Sequence, residues 1–87
     1  RALDDAMVLS VVGDGDIVVM QRRQEAANGE MVAVWLNDRE ETTLKYFFKE
    51  KGKVRLQPAN PTMEPIFVDP NTVEVQGKVV LVIRRPN

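Results

Sequence analysis

The chain has 87 residues, a length that suits one small domain with a thin hydrophobic core. Its 44% hydrophobic and 29% charged residues are typical of a folded globular protein, and a net charge of −1 excludes a broad positive field for nucleic acid. Cysteine and histidine are absent, which excludes disulfides, a thiol nucleophile, a Ser-His-Asp triad and the usual zinc sites. A catalytic base must therefore be Lys, Asp, Glu or Tyr.

The first two elements in chain order are a predicted helix and a predicted strand. We expect residues 5–12 to form a short helix, because Asp5 can cap its start and Gly13 can end it, although valines here lower the helix propensity. Residues 13–16 have the composition of a turn, and the apolar run at 17–21 has the length of a buried strand. The helix is therefore expected to lead through a turn into the sheet.

Two more strands are predicted in the middle of the chain. A polar loop at 22–30 contains the turn signal Asn28-Gly29, and the apolar run at 31–36 follows it. Residues 41–49 form the next predicted strand, whose side chains alternate between two faces. The alternation places Thr43, Lys45 and Phe47 on one face, and Leu44, Tyr46 and Phe48 on the other.

The last third of the chain predicts strands that are interrupted by prolines. A short strand is expected at 54–56, whereas the prolines of 58–65 keep that segment irregular. Residues 66–68 and the valine-rich segment 73–85 are the final predicted strands, and Gly77 is expected to mark a bulge or a close backbone approach. The fold class is therefore expected to be mostly β.

Three motifs in this order resemble the LexA family of repressors and its relatives, UmuD and the phage repressors. They are D-D-A-M followed by D-G-D-I-V-V at 4–19, T-T-L-K-Y-F at 42–47, and P-A-N-P-x-x-x-P-I at 58–66. The ending V-x-G-K-V-V-x-V-I-R-R at 75–85 looks more like LexA than like UmuD. The resemblance covers essentially the whole chain. It implies one catalytic and dimerisation domain at 1–87, mostly β and similar to LexA and signal peptidase, with short, bent strands and one short helix near the active site.

Ala6 stands where the family has its serine nucleophile. The family motif reads G-D-S-M, with the serine eight residues before the first Asp of D-G-D, and counting back eight residues from Asp14 reaches Ala6. The resemblance also implies that the backbone amides of Ala6 and Asp5 stabilise the oxyanion. Either a serine has been replaced by alanine to inactivate the protein, or this homologue never had a nucleophile. In both cases the chain is predicted to be catalytically inactive.

Lys45 matches the family's second catalytic residue, a lysine in a T-x-K-x-hydrophobic strand. A lysine held among apolar groups loses the hydration that favours its ammonium form, so a neutral amine becomes available to take a proton from a serine hydroxyl. We therefore expect Lys45 to be the general base, across a cleft from the helix at Ala6. Without the resemblance, the simplest interpretation is a solvated strand lysine.

Other polar residues are weaker candidates for chemistry. Ser10 is the only serine, but its distance from D-G-D does not fit the family's nucleophile, so a structural or solvated hydroxyl is the better interpretation. The acidic cluster of Asp4, Asp5, Asp14 and Asp16 lacks the spacing of a calcium-binding loop. No metal site and no cofactor is therefore predicted.

The resemblance implies a repressor of SOS genes that is larger than this chain. An N-terminal winged helix-turn-helix domain, absent from this chain, would bind operator DNA, and the present domain would hold a homodimer together. The predicted dimerisation residues are Val79, Val80, Leu81 and Val82, because a long strand can pair with its counterpart across a two-fold axis. A RecA filament on single-stranded DNA would trigger self-cleavage at an Ala-Gly bond N-terminal to the domain. No membrane segment or signal peptide is predicted, so a location in the bacterial cytoplasm is expected.

Two alternative functions remain open on the sequence alone. One is a UmuD-like accessory subunit of a DNA polymerase, which uses the same Ser-Lys pair once. The other is a naturally inactive dimerisation module in which Lys45 is merely structural. A signal peptidase shares the Ser-Lys chemistry, but that resemblance is weaker and the sequence contains no visible membrane anchor.

Overall fold

A seven-stranded antiparallel sheet forms the described part of the chain. The computed structural model describes residues 7–12 and 15–84. The strands are β1 (Met7–Val12), β2 (Asp16–Arg22), β3 (Glu30–Leu36), β4 (Glu41–Glu50), β5 (Lys53–Gln57), β6 (Ile66–Val68) and β7 (Val73–Ile83). They lie in the order β1-β2-β7-β3-β4-β5-β6, so the last strand of the chain is inserted between the second and the third. The mostly β fold class is confirmed.

The predicted helix at 5–12 is wrong for the part of it that the structure describes. Met7–Val12 is the strand β1, which pairs with β2 along its whole length. The valines explain the difference, since a side chain branched at Cβ is restricted in a helix and suits a pleated strand. Within the described residues the helical content is a single 3-10 turn at Pro70–Thr72, and none of it has the length and hydrophobicity to cross a membrane.

Two hydrophobic cores lie on opposite faces of the sheet. Direct cross-strand partners share a face, and we call the face that carries Val32 and Lys45 the Lys45 face. The first core lies on this face of β3–β6 and contains Val32, Val34, Leu36, Phe47, Val54 and Leu56. The second core lies on the opposite face and contains Val18, Met20 and Ala33. Because β3 contributes to both cores, it is buried on both faces, which explains its unbroken apolar run.

The sheet has two halves, β3–β6 with the first core and β1–β2–β7 with the second. In each half the face that does not carry the core is open to solvent. On β1, β2 and the end of β7, the Lys45 face carries an aliphatic set that is 38–70% exposed, which we call the aliphatic face. Its members are Met7, Leu9, Val11, Ile17, Leu81 and Ile83. On β4–β6 the opposite face carries Tyr46, Phe48, Arg55 and Phe67, which we call the aromatic face.

Gly77 marks a close approach of two strands, as the sequence predicts. The β3–β7 register shifts between Ala33 and Val34, so a bulge lies beside this glycine. A Cβ atom at Gly77 would lie 2.7 Å from the sulfur of Met20 and 2.8 Å from the backbone oxygen of Gln21. Glycine is therefore needed where the pairing of β7 passes from β3 to β2.

Candidate active site

Lys45 lies in the middle of β4, and the alternation of this strand agrees with the sequence prediction. Lys45 pairs with Val32 of β3, which is 0% exposed, and Phe47 on the same face belongs to the first core. The Lys45 side chain is half-buried. Within the part of the chain that the structure describes, no carboxylate forms an ion pair with its amine. The described neighbours of Lys45 on this face are thus the apolar side chains of Val32 and Phe47.

A row of direct cross-strand partners leads from Lys45 to the start of β1. The row runs Lys45, Val32, Lys78, Gln21 and Met7, all on the Lys45 face. Four strand spacings therefore separate the two ends of the row, about 19 Å in a flat sheet. Met7, which follows Ala6 in the chain, thus lies on the same row as Lys45, at the opposite end.

The remaining predicted catalytic groups differ in whether the structure describes them. Two of them lie outside the described residues. They are Ala6, at the predicted serine position, and Asp5, whose backbone amide is the second predicted oxyanion donor. Ser10 is described, and its partner is Val18 of β2, so it lies on the face opposite to Lys45. This position disfavours Ser10 as a substitute nucleophile for a Lys45 base.

An ion pair lies beside Lys45 on the same face, and the sequence analysis missed it. Nζ of Lys78 is 3.1 Å from Oε2 of Glu30, and Oε1 of Glu30 accepts a 2.8 Å hydrogen bond from the backbone N–H of Ala27. The Ala27 bond first, and then the Lys78 contact, hold the pKa of Glu30 below its ordinary value. The two charged residues belong to strands far apart in sequence, so only the strand order reveals the pair.

The main cavities do not bring further functional side chains to Lys45. A cavity of about 590 Å³ has Ser10, Met20, Arg22 and Gln76 in its lining, and Lys45 does not line it. Among the residues that the structure describes, no group of three or more acidic side chains is arranged to hold a metal ion. The candidate site therefore consists of Lys45 and its row, and this cavity lies apart from it.

The predicted dimerisation residues occupy the end of β7, where one edge of the strand has no partner. The β3–β7 ladder ends at Val32↔Lys78, whereas the β2–β7 ladder continues to Ile17↔Ile83. Residues 79–83 therefore present one strand edge that pairs with no other described strand. Of the predicted residues, Val80 and Leu81 are 51% and 53% exposed, while Val79 and Val82 are half-buried.

Comparisons with known proteins show the family to which the chain belongs. A family model described as Peptidase S24-like matches residues 1–80. The chain is 53% identical to a LexA repressor of Roseiflexus sp. (strain RS-1) over 79 residues, which cover 91% of this chain and 36% of that protein. LexA repressors of Herpetosiphon aurantiacus and Bacillus cytotoxicus are 51% and 46% identical, over 91% and 97% of this chain and 37% and 39% of theirs. The chain thus spans less than half the length of these relatives. It belongs to the Peptidase S24-like family, as a LexA-type domain.

Proposed function

We propose that this domain serves a LexA-like repressor of SOS genes, in which it mediates dimerisation and RecA-stimulated self-cleavage by a Ser-Lys pair. The observation that carries the proposal is Lys45, which is half-buried, forms no ion pair with another described residue, and lies on the row that leads to Met7. Ala6 has no hydroxyl, so this chain is catalytically inactive in the proposal. The names of the matched relatives favour a repressor over a polymerase subunit. Operator DNA would be bound by a part of the repressor outside this chain, in the bacterial cytoplasm.

The proposed reaction needs a serine in place of Ala6. The Lys45 amine takes the hydroxyl proton while the serine oxygen attacks the carbonyl carbon of an Ala-Gly bond. The resulting ammonium returns the proton to the leaving nitrogen as the peptide bond breaks, which leaves an ester on the serine. The amine then takes a proton from water, whose oxygen attacks the ester carbon. As the ester bond breaks and the acid leaves, the ammonium returns this proton to the serine oxygen. Because alanine cannot begin this sequence, the remaining residues bind without reacting.

The aliphatic face is the proposed platform for the segment that carries the Ala-Gly bond. It lies on the same face as Lys45, and its exposed side chains, such as Leu9 and Leu81, carry no charge. An extended apolar segment would remove this surface from water. A proton acceptor must lie about 3 Å from the hydroxyl that it serves, so the proposal requires this distance between the Lys45 amine and a serine at position 6.

The test is cleavage of a peptide in trans by an Ala6→Ser variant. The probe is a synthetic peptide with one Ala-Gly bond between apolar residues, and products are identified by mass spectrometry from neutral to alkaline pH. We expect cleavage that increases with pH and falls roughly 100-fold or more when Lys45→Ala is added. Lys49→Ala is the matched control, because Lys49 lies on the same strand and face but is exposed.

Three outcomes would contradict parts of the proposal. Cleavage that persists without Lys45 would remove this residue as the base. Equal losses in the Lys45 and Lys49 variants would point to a general effect of charge on the peptide. No cleavage by a folded Ala6→Ser variant would favour the inactive dimerisation module.

A further inference from the structure

Two lysines flank Val32 on the same face of the sheet, and among the described residues only Lys78 has an acidic partner there. Lys45 pairs with Val32 from β4, and Lys78 pairs with it from β7. Their Cα atoms are therefore two strand spacings apart, about 10 Å. Glu30, two residues before Val32 on β3, forms the 3.1 Å ion pair with Lys78. Val32 itself is 0% exposed and contributes no charge.

We infer that the Glu30–Lys78 ion pair controls the charge around Lys45. Glu30 neutralises the ammonium of Lys78, the other lysine beside Val32, and holds it at the start of β3. The inference rests on the proposed role of Lys45 as a base. In this arrangement Glu30 compensates the charge of Lys78, so Lys78 does not repel an ammonium at Lys45. Lys78 and Glu30 touch no reacting atom and are therefore not catalytic residues.

The turn before β3 anchors Glu30, so that Glu30 fixes the position of Lys78 rather than the reverse. The backbone N–H of Ala27 donates to its carboxylate at 2.8 Å. The same turn is attached to β4, because the N–H of Gly29 donates to the oxygen of Phe47 at 2.7 Å and the side chain of Asn28 accepts from the N–H of Lys49 at 2.8 Å. The carboxylate is therefore held by contacts of this turn that do not involve Lys78.

Few other charges act on this part of the Lys45 face. On β4 itself, Glu41 and Lys49 share the face with Lys45 but lie four residues away on either side. Gln21 on β2 and Thr43 on β4 are uncharged, and the guanidinium of Arg23 contributes to the lowered pKa of Glu30. The Glu50–Arg55 ion pair lies on the opposite face. Lys78 and Glu30 are thus the charged pair that neighbours Lys45 across β3.

The test measures the pH of half-maximal peptide cleavage in the Ala6→Ser background. Glu30→Gln leaves the Lys78 ammonium uncompensated and is expected to move this midpoint down by roughly 0.3 to 1 pH unit. Lys78→Met leaves the carboxylate uncompensated and is expected to move it up by a similar amount. The double variant is expected to lie near the parent, and Lys78→Arg, which retains the charge, is expected to restore the parent profile.

Glu50→Gln is the matched control, because it breaks an ion pair of similar geometry on the opposite face. A purely structural role of Glu30 and Lys78 predicts lower activity at every pH with an unchanged midpoint, and that result would overturn the inference. Shifts of the same sign in both single variants would also overturn it. Absence of cleavage in the parent Ala6→Ser protein would instead refute the proposed function, so the two failures are distinguishable.

Discussion

The two halves of the sheet bury different faces and expose different chemistry. The β3–β6 half buries its first core under the Lys45 face, and its open aromatic face is stabilised by polar contacts. There the Arg55 guanidinium lies 4.1 Å from the Phe48 ring centroid and forms a 2.8 Å ion pair with Glu50. The β1–β2–β7 half buries its second core under the opposite face, and its open face is aliphatic and uncharged. An aromatic and charged face is suited to water, whereas a continuous aliphatic face is suited to being covered.

Lys45 lies at the boundary between these two regions. The first core supplies its apolar neighbours Val32 and Phe47, and the aliphatic face begins on the far side of Lys78. One half of the sheet therefore provides the rigid support of the candidate base. The other half provides the surface on which an apolar segment or a second copy can lie.

The largest expected effect comes from damage to the first core. Leu56 is 0% exposed, so Leu56→Ala is expected to lower the free energy of unfolding by about 2–5 kcal/mol. Because β3 belongs to both cores, the whole sheet should still unfold in one transition. Urea denaturation, followed by the fluorescence of Trp35 and by circular dichroism, measures the free energy of unfolding and shows whether there is one transition.

Phe67→Ala is the control for this variant, since Phe67 is 59% exposed on the neighbouring strand β6. We expect it to cost less than about 1 kcal/mol. Two separate transitions in the Leu56→Ala protein would mean that the halves fold independently.

The second effect concerns the association of two copies through the end of β7. Leu81→Lys adds a charge to the segment 79–83, whose open edge is proposed to pair with a second copy. We expect the dissociation constant of the dimer to increase at least about tenfold. Phe67→Lys adds the same charge to the aromatic face and should leave association unchanged. Sedimentation velocity at micromolar concentrations measures both variants. A monomeric parent chain at high micromolar concentration would refute dimerisation through this edge.

The smallest effect concerns the acid sensitivity of the Glu30 contacts. The folded state lowers the pKa of Glu30, so this group stabilises the fold above its unfolded pKa of about 4.3, and the contribution is lost as the pH falls through the folded pKa. Glu30→Gln should therefore reduce the loss of unfolding free energy between about pH 5 and pH 3. In the Lys78→Met variant the unfolding free energy should still fall with acid more than in Glu30→Gln. The reason is that the Ala27 hydrogen bond, which this variant keeps, is the larger cause of the lowered pKa of Glu30.

Urea denaturation at each pH measures this difference in slope. Identical slopes for the parent and both variants would contradict the assigned role of Glu30. Such a result would also weaken the support for its ion pair with Lys78, although the aliphatic face and the β7 edge would be unaffected.

Local patterns in the sequence determined most of the strands. Apolar runs and period-2 alternation predicted β2 to β7 and the face of Lys45, because alternation follows from the geometry of a single strand. The same local rules failed at β1, where the capping residue Asp5 suggested a helix and the branched valines favoured a strand that pairs with β2. Motif spacing also indicated Ala6 and Lys45, since order and distance along the chain are properties of the sequence.

Only the tertiary structure decided how the strands are ordered and which faces they bury. The insertion of β7 between β2 and β3 brings Lys78 to Glu30 and leaves the edge of residues 79–83 without a partner. The burial of opposite faces in the two halves separates Ser10 from Lys45. These relations join residues that are distant in sequence, and they depend on pairing energies summed over the whole sheet. The sequence by itself therefore determined β2 to β7 and indicated the candidate site residues, whereas the pairing of the sheet decided β1 and the neighbours of each strand.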